Sequence, residues 1–593
     1  MSLSPTPDLG SSRRLLLTAL VVTLAVWALV VWQVHDITTG LGDTDDAMRL
    51  VLVRDLLHGR GWYDQWVARL QPPHGVYMHW SRLLDGALAG LTAALQTVLS
   101  PVRAEFVVRF GWPLLWIFPA VLCALSAARS LGVRSAVFIC AILLAMDLSL
   151  YMQFRPGRID HHNLQITFTL AAAACALMRG RRPALWAALA GAASALGLAI
   201  GVEALAFHAL IGAGFGLRLL IDRKDAAAAR AYGLSLALAS LALFAAQTPP
   251  GRWLTPVCDA MGPNLALALA VAGLGLTAAA SLAQGLSAPG RMLILAAVGA
   301  GAAIAYVLSD PSCLGGPFAA VDPRVRPFWF DHIQELEAWP ALLREHRNEA
   351  IHSMTIGAMG VIAALWLAIR GRRDPGRGEW LWAACTVVAV FAEAKAYRME
   401  DYGLWFGTPA VAVVLADIAA TWLKDRMIPA GVLAIALSPT TMSSAVLFGL
   451  DPHPRHAAAG PVDRCYDTTS YAALARLPTG VVLAEPDLGS FVLANTPHAA
   501  LSAPYHRMTW GILAAHEALA APEGEAEGRV RALRATYIVD CAMHYTRAPA
   551  GALADDIRRG RAPAWLQRLS TPGAPLPIYR VAPAAAPQET PRP

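Results

Sequence analysis

From Leu15 to Val34 the chain runs twenty residues without a charge, directly after Arg13 and Arg14. At about 1.5 Å of rise per residue, a helix of that length covers the ~30 Å hydrocarbon core of a bilayer. The run exceeds the ~7–15 apolar residues of a signal peptide and lacks a small-x-small cleavage site, so it reads as an uncleaved span. Comparable runs recur as far as about Leu450. Over 593 residues, 56% are hydrophobic and only 15% charged, where soluble domains carry about a quarter. The net charge of +6 is spread over short basic clusters between apolar runs, the pattern that fixes topology; nucleic acid is set aside as a partner. Eight cysteines without a CxxC or Cys/His spacing argue against a thiolate metal site and leave oxygen and imidazole ligands open.

Basic clusters mark cytoplasmic loops. Here they are Arg13-Arg14, Arg129 to Arg134, Arg179 to Arg182, Arg218 to Arg230, Arg370 to Arg377 and Lys424 to Arg426. With all of them inside, the outer side receives Asp43 to Asp85, Gln153 to His162, Thr248 to Pro263, Ser309 to Ala350, Ala396 to Asp401 and everything after about Leu450. Leu83 to Val102 is apolar, but as a span it would put Asp43 and Asp160 on opposite faces. It is therefore expected to be an external, membrane-skimming helix. The expected architecture is an all-α polytopic membrane domain of about thirteen transmembrane helices over 1–450, with external loops 35–107, 153–163 and 309–350, followed by a small α/β extracytoplasmic domain. A Pro/His/Ala linker occupies 451–460, the α/β domain 461–580, and a Pro/Ala-rich disordered tail 581–593. Within the small domain, Gly480 to Glu485 and Ala535 to Cys541 read as buried strands, and Trp510 to Ala520 and Glu527 to Arg534 as helices. Cys465 and Cys541 both fall there, where a disulfide is open to them. High Ala, Arg and Gly usage suggests a GC-rich bacterium, hence an inner-membrane protein whose outer side faces the periplasm.

Three outer loops carry groups that are costly to keep beside a bilayer. Asp43, Asp45 and Asp46 place three carboxylates within four residues; a cation or a nearby arginine relieves their repulsion. A helix N-cap with an acidic first turn explains Asp45 and Asp46 equally well. In Arg155 to Asn163, Asp160 and His162 stand i, i+2 at the start of a span, flanked by Arg155 and Arg158. They can converge on one ion with a carboxylate from elsewhere, a set suited to Mn²⁺ or Mg²⁺ and open to Zn²⁺. Asp331 to Pro340, containing His332, Glu335 and Trp339, also suits an amphipathic helix. Arg398, at the outer end of a span, can hold a phosphate bidentately or reach lipid headgroups.

Together these residues resemble the catalytic-subunit family of the oligosaccharyltransferases and, more broadly, the GT-C glycosyltransferases. In that family an aspartate of the first outer loop is followed six residues later by an arginine, matched by Asp43 and Arg49; an Asp-x-His second motif, of the archaeal branch, is matched by Asp160 and His162. The resemblance implies a divalent metal, Mn²⁺ or Mg²⁺, on Asp43, Asp160 and His162. Glu335 with Trp339 is similar to the family's fifth-loop motif, although His332 occupies the hydroxyl position. Arg398 falls where the family places a phosphate- or acceptor-contacting arginine, and Arg158 and Arg49 join it as expected donor-phosphate ligands. The implied reaction transfers a sugar from a polyprenyl-phosphate or pyrophosphate donor to an acceptor hydroxyl with inversion. Asp45 or Asp46 would take the proton, and Glu335 would close the loop. Where sequon-modifying members carry Trp-Trp-Asp, this chain has Glu485-Pro486-Asp487. The expected acceptor is therefore a glycan, a glycolipid or a non-Asn protein site, with His332, Trp339, Tyr505 and His506 as candidate contacts. A transporter or flippase of lipid-linked substrates is the rival reading; Glu203 favours it, while clustering of charge at the outer face and the lack of an internal repeat oppose it.

Overall fold

The structure, a computed structural model, describes residues 9–33, 41–180, 182–372, 378–424, 426–450, 464–541 and 548–583. The expected linker 451–460, residues 584–593 of the expected tail, 35–40 of the first loop, and Arg181, Arg373 and Arg377 of the basic clusters lie outside the described residues. The chain divides into two compact units: Met1–His35, His79–Ala320 and Asp331–Arg455 form one, and Asp36–Met78, Val321–Phe330 and His456–Pro593 the other.

The first unit is helical. Among its described residues eight helices are long and apolar enough to cross a membrane: Ser12–Gln33, Pro101–Leu131, Pro183–Ile200, Arg223–Gln247, Pro263–Gly285, Ala288–Ser309, Arg347–Gly371 and Tyr397–Trp422. Two bent pairs, Ser135–Met146 with Leu148–Phe154 and Met427–Ala436 with Pro439–Leu450, raise the number to ten. Three further helices of this unit, His162–Leu177, Leu205–Ile221 and Glu379–Lys395, are shorter, of 16, 17 and 17 residues. Arg82–Gln96, at 15 residues, is a separate helix ahead of Pro101–Leu131. It buries Leu84, Leu88 and Thr92 at i, i+4 spacing together with an Arg82–Asp85 pair at 3.3 Å, in keeping with a helix that does not span. With no hydrophobic drive between helices in lipid, small residues allow close packing. Gly233 and Gly273 each lie so near the other's carbonyl that a Cβ at either position would collide with it. Trp382 and Trp405 are fully buried, each indole N–H donating to a backbone carbonyl, Phe406 at 2.9 Å and Leu150 at 3.1 Å.

The second unit holds the strands. β1 (Trp66–Val67) and β2 (Val76–Tyr77) form an antiparallel ribbon. The main sheet contains β3 (Val481–Leu483), β4 (Ala499–Ala500), β5 (Tyr537–Val539), β6 (Leu566–Arg568) and β7 (Ile578–Val581), in the order β4-β3-β5-β7-β6. β3 runs parallel to β4 and β5, and β7 antiparallel to β5 and β6. The central β5 is apolar and buried throughout, as expected of a strand covered on both faces. The helix Thr509–Leu519 and the strands β3 and β5 fall where the sequence placed them, while the second helix runs Glu523–Ala532 and starts four residues ahead of the expected Glu527. A disulfide joins Cys465 to Cys541. First-loop residues extend this sheet: Gln71 N donates to Ala500 O at 2.8 Å and Ala500 N to Arg69 O at 2.9 Å. The Arg69 guanidinium meanwhile donates to the carbonyls of Leu493, Thr496 and His498, satisfying the C-terminal end of helix Pro486–Asn495.

Candidate active site

In the first unit, three helix ends and one turn bring charged groups together. The loop before helix His162–Leu177 turns at Gly157, whose φ of 95° suits glycine. Asn163 Nδ2 donates to Gln153 O and Arg158 O, fixing that loop against the helix start. Asp160 Oδ1 lies 2.7 Å from His161 Nδ1, and Asp160 Oδ2 lies 3.4 Å from His162 Nε2. From the turn between helices Pro183–Ile200 and Leu205–Ile221, Glu203 Oε2 reaches His161 Nε2 at 3.5 Å and His162 Nδ1 at 3.8 Å. Arg398 Nη2 stands 2.5 Å from Glu203 Oε1 and 3.2 Å from His162 Nε2, while its Nη1 is 3.4 Å from Glu335 Oε1.

The electrostatics give each histidine a different state. Burial by itself lowers the His161 pKa, but Asp160 and Glu203 outweigh it and hold it at about 10, so His161 is an imidazolium donating to two carboxylates. Burial opposes the charge of Glu203 as well, yet Arg398 and His161 keep its carboxyl well below the usual range. A guanidinium can only donate, so His162 Nε2 accepts from Arg398 and carries a lone pair. That is the ligating form of imidazole. Asp160 Oδ2 and His162 Nε2, 3.4 Å apart, are near enough to share one ion, and a carboxylate with a neutral imidazole is a donor set that fits a divalent ion.

Of the expected residues, Asp160, His162, Arg398 and Glu335 meet here. Arg158 lies alongside in the same loop, donating to Gln153 Oε1 at 2.6 Å. His332 is exposed in the neighbouring segment. Trp339 is held structurally: its Nε1 donates to Ser353 Oγ at 2.8 Å and its ring packs against Gly357. The stretch Asp331 to Pro340 is not an amphipathic helix. Five prolines in 309–350 break it into short 3₁₀ turns and one seven-residue helix, Trp339–Glu345. A second disulfide, Cys258–Cys313, ties the 248–263 loop to the start of this segment. Sequence reasoning had not paired these cysteines, nor had it assigned Glu203 and His161 to the site.

The remaining candidates lie in the second unit. Asp43 is the N-cap of helix Thr44–Leu57, its Oδ1 accepting from Asp45 N at 2.9 Å and Asp46 N at 3.1 Å; Asp46 Oδ2 accepts from Asp43 N at 3.0 Å. This is a reciprocal capping box. Asp45 is partly exposed, and Asp46 and Arg49 are buried. Tyr505 is buried as well, its hydroxyl 2.7 Å from Ser490 Oγ and donating to Thr44 O at 3.1 Å; His506 beside it is half-buried. Glu485 precedes helix Pro486–Asn495 and accepts from Arg558 Nη2 at 3.0 Å.

The first unit is a multi-pass helical bundle and the second a small α/β unit of which the C-terminal residues form part. Among solved structures the chain is similar to the oligosaccharyltransferase AglB of the archaeon Archaeoglobus fulgidus in complex with an inhibitory peptide and a dolichol-phosphate (TM-score 0.68, 14% identity, 98% of this chain and 76% of that one). It is similar also to the same enzyme tethered to an acceptor peptide containing the NVT sequon (0.68, 16%, 97% and 74%) and in complex with Zn and sulfate (0.61, 15%, 96% and 73%). Identities this low carry the fold alone. No family model and no curated protein matches the chain.

Proposed function

We propose that this protein is a membrane glycosyltransferase that moves a sugar from a polyprenyl-phosphate or pyrophosphate donor to an acceptor hydroxyl on the extracytoplasmic side. The observation that carries the reading is the cluster of Asp160, His162, Glu203 and Arg398, which sets an imidazole and a carboxylate beside a half-buried arginine at the ends of apolar helices. The fold shared with an oligosaccharyltransferase solved with dolichol-phosphate supports it.

In the reaction, the acceptor oxygen forms a bond to the anomeric carbon as the bond from that carbon to the phosphate oxygen breaks, with inversion. Arg398 offers its guanidinium to the leaving phosphate, a charge-assisted and potentially bidentate contact. Glu203 fixes Arg398 from behind and balances its charge in a site where an unpaired cation would be costly. Arg158 adds positive charge on the same side. Glu335, on the proline-rich segment, contacts Arg398 from the exposed side and closes the loop over the acceptor. Asp160 and His162 would hold a divalent ion, Mn²⁺ or Mg²⁺, whose chemistry is to stabilise charge developing on the phosphate; the archaeal neighbour has been solved with zinc. The expectations for Asp43 as a further ligand and for Asp45 or Asp46 as proton acceptor rest on the sequence. Both disulfides bridge segments assigned to the outer side, which supports an oxidising compartment there, the periplasm of a bacterial inner-membrane protein. Glu485-Pro486-Asp487 in place of Trp-Trp-Asp lacks both tryptophans, which points away from sequon recognition, toward a glycan, glycolipid or non-Asn protein acceptor. Binding of a polyprenyl phosphate to purified protein tests the donor assignment. Wild type binds and Arg398→Ala binds at least about tenfold more weakly, as loss of a charged hydrogen bond predicts; equal binding by both refutes it.

A further inference from the structure

At the end of helix His162–Leu177 opposite Asp160, about 24 Å away along the helix axis, a cavity of about 110 Å³ opens between helix ends. Its walls include Cys175, Met178, Ala187 and Phe215, with Arg179 and Arg218 facing into it. Arg218 is 7% exposed, and its guanidinium offers five N–H donors and no acceptor. Its Nη1 donates to Ala176 O at 2.8 Å and its guanidinium lies 4.3 Å from the centre of the Phe215 ring. Among the described residues Ala176 O is the one hydrogen-bond acceptor for this group of five donors. Arg179, on the rim, is paired with Asp225 through Nη2 at 3.0 and 3.1 Å. Two guanidinium groups against one carboxylate leave a single excess positive charge beside an apolar wall.

We infer that this cavity binds a phosphate group, with the guanidinium of Arg218 as its buried ligand and Arg179 as its rim. The lone excess charge matches a phosphodiester monoanion, and basic pockets between helix ends at a membrane surface are suited to anionic lipid headgroups. The same donors accept a free phosphate ion. The site is separate from the Asp160 cluster and plays no part in the reaction proposed for it.

The test is native mass spectrometry of the full-length protein, delipidated in a neutral detergent and then offered phosphatidylglycerol, phosphatidylcholine or inorganic phosphate. Arg218→Met, Arg179→Met and the cavity-filling Ala187→Phe are compared with wild type, and melting temperature verifies folding in each. A lipid source is expected: wild type retains one phosphatidylglycerol in preference to phosphatidylcholine. Retention falls about tenfold or more in Arg218→Met and Ala187→Phe, the scale of one lost charge-assisted hydrogen bond. Binding of inorganic phosphate with the same variant dependence and no lipid retention assigns the site to the free ion. No binding of either, or equal lipid retention by wild type and a folded Ala187→Phe, overturns the inference.

Discussion

Replacing Glu203 by glutamine keeps the shape of the side chain and removes its charge, which isolates what the carboxylate does for Arg398. The guanidinium lies 2.5 Å from Glu203 Oε1, and His161 Nε2 lies 3.5 Å from Oε2. Two unit charges with centres about 4 Å apart interact by roughly 4 kcal/mol at an effective dielectric of about 20. Partial exposure of both side chains and relief of the carboxylate's own desolvation return part of this, leaving about 3 kcal/mol. If Arg398 acts on the donor phosphate, that loss appears as a fall of roughly 10²-fold in kcat/KM for the lipid donor. The assay is steady-state release of polyprenyl phosphate in detergent, with melting temperature measured alongside. Glu203→Asp, which retains the charge, is expected to recover part of the loss. A change below about threefold, roughly 0.6 kcal/mol, in a Glu203→Gln protein that melts like wild type would refute the positioning role.

Asp43 separates capping from ligation. Asp43→Ala removes the cap of helix Thr44–Leu57 and lowers stability by about 0.5–2 kcal/mol, whereas Asp43→Asn caps almost as well; a metal ligand shows itself as lost Mn²⁺ affinity in Asp43→Asn at unchanged melting temperature. The Cys465–Cys541 bridge spans 76 residues, for which chain entropy gives about 4.5 kcal/mol, so a Cys465→Ser, Cys541→Ser protein should lose much of the protease resistance of its C-terminal unit. Removing Cys258–Cys313, with a separation of 55, should cost less than its length suggests, because membrane helices hold both ends in the unfolded state; equal losses would contradict this. Burial pushes the Asp540 carboxyl up to about 6 against the pull of Arg558. The folded state therefore binds that proton more tightly, and this group's contribution to stability declines as pH rises from about 4 to about 6 and is flat above. Asp540→Asn should flatten that window in a pH series of melting temperatures, and an unchanged slope would count against the assignment.

Membrane architecture was legible because eight apolar runs each meet the length requirement of a bilayer on their own, and Asp160-His161-His162 stood out because its cost beside lipid had no local explanation. Strands β3 and β5 were readable as short apolar runs bounded by turn residues. Glu203 was harder. It is the sole Asp, Glu, Lys or Arg between Arg182 and Arg218, a signal that a carboxylate in an apolar hairpin has a partner, but the partners Arg398 and His161 come from segments distant in sequence. The Cys258–Cys313 pairing was hidden for the same reason, since proximity of two loops is a tertiary property. The N-cap alternative was visible for Asp45 and Asp46, but the cap itself is Asp43, which the sequence had favoured as a functional residue; its reciprocal box with Asp46 follows from an aspartate three residues after an aspartate. The 331–340 segment misled through its apolar spacing, while prolines on either side had already removed the helix.

Donor turnover tests the central claim most directly. Purified wild type, Asp160→Asn and Arg398→Lys are incubated with a panel of polyprenyl-phosphate sugars and candidate hydroxyl acceptors, with Mn²⁺ or with chelator. The account predicts release of polyprenyl phosphate from at least one donor by wild type with metal, abolished by chelator and by Asp160→Asn and reduced by Arg398→Lys. Release undiminished in chelator and in Asp160→Asn would contradict it.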